Sequence, residues 1–148
     1  MTESTDLAKS GIVELAKTDR NCTHLAGEYF VAAELSKRGY AVAITMGNAK
    51  AIDLFAEKGG RSVSVQVKAI AVRKNVGWPM MKDRVVPNVL YVLVCLNACG
   101  AAPSYFLLTS EEAEAKVNQY RTRGIIDYSR VNSADYLERW DKVEAALR

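Results

Sequence analysis

An α/β fold, with one mixed β-sheet flanked by helices, is predicted by three features of the sequence. An amphipathic helical pattern early in the chain ends at a glycine, and three short β-rich runs follow it in quick succession. The almost wholly apolar run 89–96 then has the length and β-branched content of a strand buried on both faces. The chain has 148 residues, about half of them apolar and a quarter charged. That is the makeup of a single folded domain able to bury a core without disulfides or a structural metal. We read 1–148 as one domain, with its core at about 22–120 and a C-terminal helix at about 133–147.

Each element has a local reason. A first helix is expected at 7–17, after the cap candidates Thr5 and Asp6. A stronger one runs from about 22 to 38 and is stopped by Gly39. Strands follow at 40–45, 51–57 and 61–69, the last two joined by the turn pair Gly59-Gly60. A loop with Gly77, Trp78 and Pro79 leads to the central strand 89–96, and 104–108 reads as its neighbour. Thr109 with Glu112 three positions on forms a capping-box pattern that opens a helix to about Tyr120. A short segment at 124–128 and a last helix from 132 or 133 to 147 complete the chain.

Composition excludes several function classes. The longest apolar run is far short of the roughly 20 residues that span a bilayer. The polar start, 1–6, lacks the basic and apolar segments of a secretory signal, so cytoplasmic residence is expected. Cys22, Cys95 and Cys99 read as reduced thiols rather than a disulfide frame. Zinc is disfavoured, because Cys95 and Cys99 would need two more soft ligands and only Cys22 and His24 remain. His24 by itself reads as a surface or capping residue.

The net charge is only +3, but its distribution is uneven. Lys68, Arg73, Lys74, Lys82 and Arg84 stand against the single acid Asp83, so this stretch carries a local +4. Such a cluster fits either a surface that meets a polyanion or an ordinary solvated loop.

Alternation sorts the strand 61–69 into two faces, Val63, Val65 and Val67 on one and Ser62, Ser64, Gln66 and Lys68 on the other. A lysine at the end of a buried strand needs a carboxylate or phosphate partner. Asp53, inside the apolar run 51–56, is costly there unless paired or bound to a cation. Pairing across Gly59-Gly60 would set it beside Gln66 and Lys68. On the helix 22–38, Leu25, Glu28, Ala32 and Leu35 share one stripe, which makes Glu28 the charged intruder on the face that should meet the sheet. Glu28 would either join the same polar site or rim the core into water.

With these residues in place the chain resembles the PD-(D/E)XK nuclease superfamily, and within it the Holliday-junction resolvase-like branch with its restriction-endonuclease-like fold. The likeness runs through Gly27-Glu28, Leu35, Gly39-Tyr40, Ile52-Asp53 and Val65-Gln66-Val67-Lys68, over about residues 20 to 70. Glu28 lies eleven residues before Gly39, and Asp53 lies thirteen before Gln66 and fifteen before Lys68, the family's spacing. Two positions depart from the motif: Ile52 stands where the name has proline, and Gln66 replaces the usual acid, removing one negative charge.

The resemblance implies a metal-dependent endonuclease that hydrolyses DNA phosphodiesters with Mg²⁺ or Mn²⁺, on branched or foreign DNA, as a symmetric homodimer. Asp53 would bind the ion, with the Gln66 side-chain oxygen and the Val67 carbonyl as further ligands. Lys68 would orient the attacking water, and Glu28 would hold a second ion or a metal-bound water. Arg73, Lys74, Lys82 and Arg84 would contact phosphates. Trp78 would stack on an unpaired base or, the favoured reading, pack in the core, as Trp140 would against the last helix. Two other readings stay open: a nuclease fold with a weakened site that binds nucleic acid or regulates, and a structural protein in which Asp53 and Lys68 form a buried ion pair.

Overall fold

A computed structural model describes residues 20–46, 51–72 and 76–148. The expected helix 7–17, together with Arg73 and Lys74, lies outside the described residues. Helix α1 (Arg20–Lys37) buries Gly27, Glu28, Val31 and Leu35. It ends as the glycine predicted. Gly39 takes φ 88°, its N–H donates to the Ser36 carbonyl at 3.0 Å, and the Tyr40 N–H donates to the Leu35 carbonyl at 3.1 Å. That is a Schellman closure, and Tyr40 and Leu35 both enter the core behind it.

Strands β1 (Ala41–Ile44), β2 (Leu54–Lys58) and β3 (Arg61–Ile70) form an antiparallel meander. The β2–β3 turn has φ 61° at Gly59 and 75° at Gly60, the pair of positive values that a type I′ turn demands. Strand β5 (Val89–Cys95) pairs in parallel with β3, and β6 (Ser104–Leu108) pairs antiparallel with β5, giving the order β1-β2-β3-β5-β6. Leu90, Val92 and Val94 face α1 together with Val31, Leu35, Val65 and Val67. Tyr91, Leu93 and Cys95 face a second cluster with Trp78, Phe106 and Ile126. Burial on both faces is why β5 reads as a continuous apolar run with no alternation.

Three expectations are corrected. The Gly77-Trp78-Pro79 segment is a strand, β4 (Gly77–Pro79). It pairs with β8 (Gly124–Asp127), and β8 pairs with β7 (Asn118–Gln119), making a second, three-stranded sheet where one sheet was expected. Glycine is required at 77, because a Cβ there would sit 1.8 Å from the Ile126 carbonyl oxygen. Trp78 is fully buried. Its Nε1–H donates to the Val94 carbonyl at 3.0 Å, and its ring packs on Phe106 and Tyr128. The core reading therefore holds and base stacking by Trp78 is set aside, since no ring face is free to meet a base.

Helix α2 (Ser110–Lys116) opens on the expected capping box but stops before Tyr120, because Val117 turns extended into the core and β7 must pair with β8. The last helix expected from 132 or 133 to 147 is reduced to the short α4 (Asp141–Ala146), and another short helix, α3 (Tyr128–Val131), lies before its expected start. Between them the chain adds to the exposed edge of β6: the Leu107 N–H donates to the Tyr136 carbonyl and the Glu138 N–H to the Tyr105 carbonyl, both at 2.9 Å. Satisfying that edge outweighs helix propensity, and Glu138, at φ 54°, redirects the chain. Trp140 seals the end as expected, edge-on to Tyr105 with centroids 5.2 Å apart.

Glu112 ties these elements together. It accepts the Thr109 N–H at 3.0 Å and pairs with the Lys142 ammonium at 3.0 Å. Burial opposes its charge, but the Thr109 N–H and Lys142 outweigh that and hold its pKa below the ordinary glutamate value. Glu112→Ala is expected to cost about 1–2 kcal/mol near neutral pH. Because the folded-state pKa is depressed, this stabilisation is present above the unfolded value and lost as pH falls through the folded one. Urea melts of both proteins at about pH 7 and about pH 3 check it, and the gap between them should close at the lower pH.

Candidate active site

The site grows from a mismatch between β2 and β3. Strand β3 runs on past the start of β2, so the Val67 N–H faces no β2 backbone. Asp53, the residue just before β2 rather than within it, fills the gap: its Oδ2 accepts the Val67 N–H at 2.8 Å. The Asp53 N–H donates at 2.9 Å to the carbonyl of Val65, although Val65 already faces Leu54. Two residues thus oppose one, as in a β-bulge, a device that re-aims a side chain. The Asp53 carbonyl is tied in turn to the Thr45 N–H at 2.9 Å.

Helix α1 supplies the second carboxylate. Gly27 lets it lie almost on β3, for a Cβ at 27 would be 2.6 Å from the Cβ of Ala69. The next residue, Glu28, is 8% exposed and contacts His24 one turn earlier, with His24 Nε2 2.9 Å from Glu28 Oε1. The same Nε2 is 3.7 Å from Asp53 Oδ1. One ligand atom from each of His24, Glu28 and Asp53 lies within 4.8 Å of the others.

Electrostatics separate the two acids. Burial pushes the Glu28 pKa up, the Asp53 charge pushes it further, and His24 opposes both. Burial pushes Asp53 the same way, but the nearby His24 imidazole and the hydrogen bond from the Val67 N–H win, so its pKa falls below the ordinary range. The pull of Asp53 and the Glu28 charge raise the pKa of His24 against the cost of burial. Neighbouring carboxyls driven in opposite directions are a mark of functional sites.

Gln66 and Lys68 alternate onto the other face of β3, where they line a cleft of about 640 Å³ with Arg84 and Arg123. Lys68 is half-buried and makes no ion pair among the described residues. The Asp53–Lys68 ion pair of the structural reading is therefore not formed: Asp53 is held by Val67 and His24 instead. The Lys68 charge is nonetheless close enough to oppose protonation of His24. The acids and the amine thus approach one end of β3 from two sides, joined through the backbone of Val67, whose side chain is buried in the core. Of the basic residues, Arg84 reaches the cleft from a 3-10 turn, Lys82–Arg84. Lys82 faces a separate groove beside Asp83 and Glu114.

Two basic side chains, His24 and Arg123, join these groups beyond those the sequence marked. His24 sits one helical turn from Glu28, and that i, i+4 spacing was the available signal. Arg123 enters the cleft from the β7–β8 turn, which no local pattern links to β3. Two carboxylate oxygens and an imidazole nitrogen in one small space suit a divalent cation.

The fold is similar to that of a solved Holliday junction resolvase. The Holliday junction resolvase Hjc of Archaeoglobus fulgidus, an archaeal hyperthermophile, matches over 82% of this chain and 95% of its own, with a TM-score of 0.54 and 16% sequence identity. At that identity the likeness is one of fold. No protein-family model and no curated protein matches the sequence. None of the helices among the described residues is long and apolar enough to cross a membrane.

Proposed function

We propose that this chain is a metal-dependent DNA endonuclease that hydrolyses phosphodiester bonds with Mg²⁺ or Mn²⁺. The reading is carried by one observation: carboxylates from two distant elements, Glu28 of α1 and Asp53 before β2, converge against β3, whose half-buried Lys68 forms no ion pair among the described residues. Asp53 and Glu28 would hold the ion, with the Gln66 side-chain oxygen and the Val67 carbonyl as further ligands. When bound, the cation would neutralise phosphate charge and acidify a water.

The protein's own groups then do the rest. Lys68 donates to a phosphate oxygen, orients the attacking water and stabilises charge as it develops. Asp53, ionised and held by the Val67 N–H, keeps its position through the reaction. Arg84 and Arg123 fix the backbone of the nucleic acid in the cleft by phosphate contacts. The fold shared with a resolvase makes branched DNA the first substrate to try, and a symmetric pair of chains would suit two strands cut together.

The test is cleavage of plasmid, linear duplex and four-way-junction DNA, with and without Mg²⁺ or Mn²⁺, by the protein and by Lys68→Ala. We expect metal-dependent cutting that drops about 100-fold or more in the variant. Cutting undiminished in Lys68→Ala would mark a contaminant. DNA bound but never cut with either metal would assign the chain to the binding or regulatory reading that Gln66, lacking the usual negative charge, favours.

A further inference from the structure

We propose that His24 is a direct metal ligand, giving the Asp53–Glu28 centre one nitrogen donor and a preference for transition-metal ions over Mg²⁺. The inference rests on the metal-centre reading above and extends it to which ion the centre selects.

Geometry places the imidazole there. Its Nε2 is the atom that faces both carboxylates, 2.9 Å from Glu28 Oε1 and 3.7 Å from Asp53 Oδ1. Ligands about 2.1 Å from one ion lie at most about 4.2 Å apart. The present 4.8 Å span of the three donor atoms therefore needs to contract by only about half an ångström. The two acids are fixed from behind, Asp53 by the Val67 N–H and Glu28 by the close seating of Gly27 on Ala69. The His24 side chain is 46% exposed, so an ion can enter from its side.

The chemistry of the donor set is telling. Gln66 offers a neutral oxygen where an acid would add a charge, which weakens the site most for Mg²⁺, an ion that binds chiefly through charged oxygens and keeps its waters. An imidazole adds little for Mg²⁺ but strengthens binding along the series Mn²⁺, Fe²⁺, Co²⁺. His24 thus offsets the charge lost at Gln66, selectively for nitrogen-accepting ions.

The test reads binding, with no DNA present. Calorimetric titrations of the full chain with Mg²⁺, Mn²⁺ and Co²⁺ are compared for the protein, His24→Ala, His24→Gln and Asp53→Asn. His24→Ala is expected to weaken Co²⁺ about tenfold or more, Mn²⁺ less, and Mg²⁺ by under about twofold. The Co²⁺ visible absorption should move to longer wavelength as the nitrogen is lost, and His24→Gln should not restore it. Asp53→Asn should weaken all three ions alike. If His24→Ala changes all three equally, or none, His24 is not a ligand while the metal centre stands. If the unaltered protein binds no divalent ion, both this inference and the metal-centre reading fall.

Discussion

Asp53→Asn is expected to lower metal-dependent DNA cleavage by about a thousandfold or more while the protein stays folded, with a melting temperature within a few degrees of the unaltered chain. Asparagine is the informative replacement because its side-chain oxygen can still accept the Val67 N–H that Asp53 Oδ2 accepts at 2.8 Å. Alanine would leave that N–H bare at a cost of about 1–3 kcal/mol, confusing a chemical loss with a structural one. Losing the favourable ionisation of Asp53 costs some stability, but removing a charge that repels Glu28 returns part of it.

A second signature accompanies the loss. The Glu28 pKa is raised by burial and then by the Asp53 charge, so in the unaltered protein Glu28 takes up its proton at a higher pH than an exposed glutamate does. With asparagine at 53 the second cause disappears and the Glu28 pKa should move down, which a carboxyl NMR titration of the metal-free protein would register. Full activity in Asp53→Asn, or an unmoved Glu28, would remove Asp53 from the centre.

The sequence carried this pair further than it carried the surroundings, for a physical reason. Period-two alternation in β3 and the Gly59-Gly60 turn are local, and together they set the register that brings Asp53 against the Val65–Val67 stretch of β3. Glu28 was legible because helical geometry is equally local and a charge on an apolar stripe stands out. The Thr109–Glu112 box and the Gly39 closure were readable for the same reason. The second sheet was not, since the pairing of Gly77–Pro79 with Gly124–Asp127 spans nearly fifty residues and three-residue strands have no period to detect. The last helix failed on non-local grounds too: residues 136–138 have helical neighbours in sequence but an unpaired β6 edge in space. Trp78 and His24 show both outcomes of weighing a residue alone, the tryptophan belonging to the core and the histidine to the polar cluster.

Gly27→Ala should reduce cleavage about 100-fold at a net stability cost of no more than about 2 kcal/mol, and Ala69→Gly should restore it. The added Cβ would lie 2.6 Å from the Cβ of Ala69, where carbon atoms settle at about 3.5–4.0 Å, so α1 must lift from β3 by about 1 Å. Overpacking of this kind costs about 1–3 kcal/mol, offset by the gain of about 1 kcal/mol when alanine replaces a mid-helix glycine. Glu28 is the next residue and moves with the helix, away from an Asp53 that β3 holds in place. A displacement near 1 Å at a reacting centre is worth about two orders of magnitude in rate. Removing the opposing methyl in the Gly27→Ala/Ala69→Gly double variant lets α1 settle back, at the modest cost of a strand glycine. Denaturant melts beside single-turnover cleavage separate the two effects. An active Gly27→Ala, or a loss that Ala69→Gly fails to reverse, would mean that the seating of α1 on β3 does not govern where Glu28 stands.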